Sequence, residues 1–228
     1  MTRSPHSAQT SDAVSAESGP DYPEQIGLGF AEILALLALD GGESAPATAE
    51  LLGIEEFARL PEVVSAGASS LVAHGYAHVG PSGELSVEGP MAGIATALGR
   101  AERRMDLTLE SPEWTDRIIL LEAPGIAVLL RPRAYSTWWA LPQRTDLSPA
   151  EATLALVRGH LAERPGGRVL VERHDVGRGY ALSVRRAGSN AGDGAWLLGI
   201  KPPGADAATE EPGDDATLLA ALRAVRND

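Results

Sequence analysis

The chain is 228 residues long, 44% apolar, with a formal charge of -12 at neutral pH and no cysteine. That is enough apolar sequence for a substantial core, and the missing thiols exclude disulfides and thiolate chemistry. The acidic balance argues against nonspecific binding to a polyanion, whose affinity comes from Lys and Arg neutralising phosphates; residues 100–186, with 14 Arg against 11 Asp and Glu, are nevertheless mildly basic between acidic ends.

Residues 1–23 are Ser, Ala, Asp, Glu and Pro with almost no large apolar side chain. Burial there cannot offset the entropy of ordering, and an acidic disordered tail is predicted. The longest apolar run, Phe30 to Leu39, is interrupted by Glu32 and is far short of the roughly 20 residues a membrane span needs. No positively charged stretch immediately precedes it, so it is not read as a signal peptide. A soluble, cytoplasmic protein is expected, with this run as a buried helix stopped at Asp40-Gly41-Gly42. Residues 47–58 predict a second helix with Leu51, Leu52, Ile54 and Phe57 inward, and Pro61 opens a third. Leu60, Val64, Ala68, Leu71 and Val72 share one face of that third helix, which ends at Gly75. A Pro81-Ser82-Gly83 turn and the alternating Glu84 to Val87 complete a helix, helix, helix, wing order. From Pro90 a fourth helix follows, with Met91, Ile94, Ala95, Leu98, Ala101 and Met105 as its stripe and Arg100, Arg103 and Arg104 on its outer face.

At Arg117 the period changes. Ile118 to Ala123 and Ile126 to Arg131 are strand-length runs joined at Pro124-Gly125, and Tyr135 to Leu141 is a third strand. Ser148-Pro149-Ala150-Glu151 is a capping box that starts a covering helix reaching about Arg164. Three more strands are read at 168–174, 180–186 and 195–200, then a Pro, Gly and acid-rich linker from Pro202 to Gly213, then a helix at 214–226. The halves match in residues too: a strand with Trp139, then Pro142 and Glu151-Ala-Thr-Leu154, against a strand with Trp196, then Pro202 and Asp215-Ala-Thr-Leu218. The expected class is α+β: a tail at 1–23, a winged-helix-like helical subdomain at 24–109, and an antiparallel subdomain at 110–228 with a βββα unit twice, packed as one globular unit.

No catalytic, cofactor or metal motif emerges. His74 and His78 have i, i+4 spacing, but Gly75 breaks the helix between them and no third ligand lies nearby. His160 and Glu163 read as a solvated polar face, and His174-Asp175 as turn chemistry. The glycine-rich 188–194 stretch lacks the Lys and following helix of a phosphate loop, and Gly27-Leu28-Gly29 lacks a third glycine. Two features suit a protein partner. Trp138 and Trp139 are adjacent on a strand and point to opposite faces, so one of them can join Tyr135 and Arg133 in a surface of interface composition, unless both faces are covered. Arg100, Arg103 and Arg104 form either a solvated face or the seat of an acidic partner.

The order of Ser70-Leu71-Val72-Ala73-His74-Gly75-Tyr76, the wing, the helix from Met91 to Met105 and the leap to strand after Leu109 resembles the EspG family of ESX (type VII) secretion-associated chaperones of actinobacteria. Tyr76 stands where that family more often has an aliphatic residue. The resemblance implies a cytosolic chaperone that holds secreted helical-hairpin substrates and performs no chemistry. The alternative is a winged-helix transcriptional regulator whose α/β half senses a ligand or partner. Against it, the helix at 61–74 has neither Lys nor Arg, the side chains that reach phosphates and base edges.

Overall fold

The computed structural model describes residues 25–143, 146–174, 180–188, 195–202, 204 and 208–226; the tail at 1–23 lies outside them. In chain order the elements are β1 (Ile26–Gly29), α1 (Phe30–Asp40), α2 (Ala45–Leu52), a single 3-10 turn (Phe57–Arg59), α3 (Pro61–Ala73), β2 (His78–Val79), β3 (Leu85–Ser86) and α4 (Gly89–Arg100). There follow β4 (Arg103–Glu110), β5 (Thr115–Ala123), β6 (Ile126–Arg133), β7 (Thr137–Pro142), α5 (Pro149–Glu163), β8 (Arg168–Arg173), β9 (Ala181–Arg186), β10 (Trp196–Lys201), β11 (Thr209–Gly213) and α6 (Asp215–Arg226). The architecture is α+β. Nine of the described strands form one antiparallel sheet in the order β1-β7-β6-β5-β4-β8-β9-β10-β11, and β2-β3 is a small separate hairpin.

The continuous apolar run of β5 has a simple cause: both of its faces are covered. Ile119 and Leu121 point into a first core with Leu28, Val128, Leu130, Trp138, α1 and α4. Ile118 and Leu120 point into a second core with Met105, Leu107, Val169, Val171, Leu182, Val184, Trp196, α5 and α6. Strand pleating alone separates the two cores. In the first, α1 and α3 approach closely because residue 67 is glycine; a Cβ there would lie 1.8 Å from the carbonyl oxygen of Ala31.

The two halves do repeat, with one more strand per copy than the sequence suggests. β4-β5-β6-β7-α5 is followed by β8-β9-β10-β11-α6, and β4 and β8 pair antiparallel at the centre, so the strand order is symmetric about that pair. By this topology β7 corresponds to β11 and β6 to β10. Trp139 on β7 and Trp196 on β10 are therefore not equivalent, and the residue match between them is coincidence.

Other differences follow from local backbone. The fourth helix stops at Arg100, where Ala101 turns extended (φ -56°, ψ 120°), so Arg103, Arg104 and Met105 lie on β4. Met105, Leu107 and Leu109 alternate there, and pairing to β5 and β8 on both sides outweighs the helical spacing. The second helix ends at Leu52 because Gly53 takes a left-handed conformation (φ 68°), and Phe57 is left 42% exposed on the 3-10 turn. Part of the acidic linker is β11, an edge strand carrying Glu210, Glu211 and Pro212, residue types that discourage further strand pairing.

Candidate partner-binding surface

The outer face of the sheet at β1, β7 and β6 is built by the same pleat. On β7, Trp138 and Ala140 point into the first core, so Trp139 must point the other way. Trp138 is 5% exposed and Trp139 37%. Trp139 pairs in register with Gly27 on one side and Arg131 on the other. Gly27 presents no side chain to this face; a Cβ there would touch the indole at 3.9 Å. The guanidinium carbon of Arg133 sits 4.4 Å from the centroid of the Trp139 ring, a cation–π arrangement that holds both groups in place. On the same face, Arg131 is ion-paired with Asp116 of β5.

Beyond Arg133 the β6–β7 turn projects Tyr135, 96% exposed. Tyr135 (φ 61°) and Ser136 (φ 51°) both occupy the left-handed region, which costs a non-glycine residue about 1 kcal/mol or more. The turn is held by the Thr137 hydroxyl, which donates to the Ala134 carbonyl at 2.8 Å, and by the Phe30 N–H, which donates to the Ser136 carbonyl at 3.0 Å. The Arg133–Trp139 stack and the backbone of the turn that carries Tyr135 are thus both held in place.

The three arginines at 100, 103 and 104 do not share a face. Arg100 is exposed and pairs with Asp40 at 3.0 Å, closing the end of α1 on the end of α4. Arg103 donates from Nε to the Arg226 carbonyl at 3.1 Å and lies 3.8 Å from Glu122. Arg104 is 6% exposed and is bound by the Thr48 hydroxyl at 3.2 Å and the Ser44 carbonyl at 3.0 Å. Arg103 and Arg104 fasten elements to one another, so the expected arginine face is not formed.

His74, His160 and His174 have structural partners, while His78 stands exposed on β2. Glu32 is buried, and its carboxylate accepts from the Gly29 N–H at 2.8 Å and the Ser70 hydroxyl at 2.8 Å, with His74 Nδ1 at 2.9 Å. This ties the start of α1 to the end of α3. His160 meets the Glu110 carbonyl at 3.0 Å and packs edge-on against Trp114, while His174 Nε2 lies 3.6 Å from Asp106. Among the described residues no group of three or more His, Asp or Glu side chains could hold a metal ion. Residues 189–194 and Asp175 lie outside the described residues.

Sequence reasoning missed the part Gly27 plays beneath Trp139. Its signal, a glycine between Ile26 and Leu28, is visible only once β1 is known to pair with β7.

No family model matches the chain, and no curated protein matches it in sequence. In fold it is an α+β protein of the kind seen in a type VII secretion chaperone. The solved structure in question is the Mycobacterium tuberculosis chaperone EspG5 in complex with a PE25-PPE41 dimer, matched at 12% identity and a TM-score of 0.52 over 90% of this chain and 96% of that one. The resemblance to the EspG family is thus present in the fold.

Proposed function

We propose that this protein is a non-enzymatic, cytoplasmic chaperone or adaptor that holds helical-hairpin secretion substrates of a type VII system in soluble form. The observation that carries the reading is the fold likeness to EspG5, which spans nine tenths or more of both chains. EspG5 was solved with a PE25-PPE41 dimer, and a helical-hairpin secretion substrate is the partner proposed for this chain. The surface assigned to it is Trp139, Arg133 and Tyr135; Arg133 holds the Trp139 ring in place before any partner arrives, as suits an interface anchor, and Tyr135 stands exposed on the turn beyond them. Among the described residues no helix is long and apolar enough to cross a membrane.

A nuclease-treated pull-down of the tagged protein from its host lysate, read by mass spectrometry, tests this. The expected result is a small helical-hairpin protein recovered in near-stoichiometric amount and lost with Trp139→Ala. Recovery of no such protein, together with retention of a specific duplex in a gel-shift assay, would replace the chaperone reading with that of a DNA-binding regulator.

A further inference from the structure

A second surface lies in the helical part, away from the sheet face that carries Trp139. Between α1, α2, the 3-10 turn and the start of α3 runs an open groove of about 340 Å³. Its lining is apolar: Leu34, Leu37, Ala38, Ala49, Ala58 and Val64 among others, with Glu55 and Arg59 as the charged members. The volume lies at the lower end of the roughly 300–1,000 Å³ of ordinary ligand pockets, enough for a few apolar side chains. Phe57 and Leu60, both exposed, extend the apolar surface along the same connector.

Charge says what can occupy it. Residues 25–99 hold nine acidic side chains and a single basic one, Arg59. Four of the nine, Glu50, Glu55, Glu56 and Glu62, are exposed on or beside the walls' own elements. The chain's first 24 residues are a poor occupant, with four acids against Arg3 and few large apolar groups. A second copy docking by the same face would set acid against acid, which is unfavourable in a self-complementary contact. What fits is an apolar stripe flanked by positive charge.

We propose that this groove is a separate docking site for a basic amphipathic helix of a partner protein, apolar on the face that enters it and rich in Lys and Arg on its flanks. Such helices insert anchors at i, i+3, i+4 and i+7. The acidic rim accelerates their encounter and rejects acidic helices.

The probe is a labelled synthetic helix with Leu at those positions and Lys elsewhere, titrated by fluorescence anisotropy at about 0.15 M salt, where charges beyond ~8 Å are screened. Two control peptides accompany it: the same composition scrambled to destroy the stripe, and the same stripe with Glu in place of Lys. Three variants are compared with the wild type: Ala38→Trp and Ala58→Trp, which fill the groove from α1 and from the 3-10 turn at exposed positions, and a Glu55→Lys, Glu62→Lys double variant. Circular dichroism and melting confirm that each is folded. The proposal expects both controls to bind at least tenfold more weakly than the Leu/Lys helix, and every folded variant to lose at least tenfold. Equal binding of the scrambled peptide would reduce the effect to bulk charge, and unchanged binding to either folded Trp variant would show that the groove is not the site. Either result overturns the proposal, as would failure of the wild type to bind the Leu/Lys helix.

Discussion

Trp138 and Trp139 differ by one position and sit in opposite environments, so their substitutions should separate stability from binding. Trp138→Ala removes a buried indole packed with Leu28 and the helices of the first core, and should cost about 3–5 kcal/mol in urea denaturation. Trp139→Ala removes a partly exposed ring with one cation–π partner and should cost about 1–2 kcal/mol. Equal losses would mean that Trp139 is a core residue. Sequence alone established that the two must part, because strand pleating is local. Which of them faces out depends on which side of β7 α1 covers, and that is a tertiary fact. The arginines show the opposite outcome: Leu98, Ala101 and Met105 fit a helical stripe, Ala101 itself carries no stop signal, and the alternation of Met105, Leu107 and Leu109 competes with that stripe only beyond it. Their assignment to one face failed for that reason.

At the scale of elements, two glycines in helices make contrasting predictions. Gly67→Ala drives a methyl group into the backbone of α1, so the helices must part; overpacking of this kind costs about 1–3 kcal/mol and can cost more. Gly159 sits exposed in α5 with nothing within 4 Å of an added Cβ, and Gly159→Ala should stabilise by about 0.5–1 kcal/mol. Thermal melts of the pair should move in opposite directions. The start of α5 gives a pH prediction. The Ser148 hydroxyl and N–H hold the Glu151 carboxyl below its ordinary value of 4.5. A depressed folded value means the contribution is complete above about 4.5 and is lost as pH falls through the lower, folded value. The stability gap between wild type and Glu151→Ala should accordingly be flat at neutral pH and narrow only on the acid side of 4.5. The capping box was legible because it is written in four consecutive residues. β11 was not: Thr209 to Gly213 carries two acids and a proline, the chemistry of a linker and equally of a protected edge strand.

Over the whole molecule, the last helix is fastened to the middle of the sheet. Arg226, at the end of α6, makes a two-pronged, buried ion pair with Glu122 of β5, and its carbonyl accepts from Arg103 and Arg173. Removing one charge leaves the other buried without its partner, so Glu122→Gln should cost about 3–5 kcal/mol. This pairing spans more than a hundred residues of sequence and was invisible in it. The α+β class was legible, since it rests on strand-length runs, continuous in β5 and alternating in β9, and the repeat was legible in outline, one strand short in each copy. The functional reading rests on the fold and on one prepared surface, and the two meet in a single experiment. The chain is co-expressed with a candidate helical-hairpin protein recovered in the pull-down, and the mixture is weighed by size-exclusion chromatography with light scattering, wild type beside Trp139→Ala. The account predicts a stable complex of defined stoichiometry for the wild type, and free components for a variant that remains folded. A folded Trp139→Ala protein that forms the same complex would contradict the assigned surface, and a wild-type protein that elutes alone would contradict the chaperone function itself.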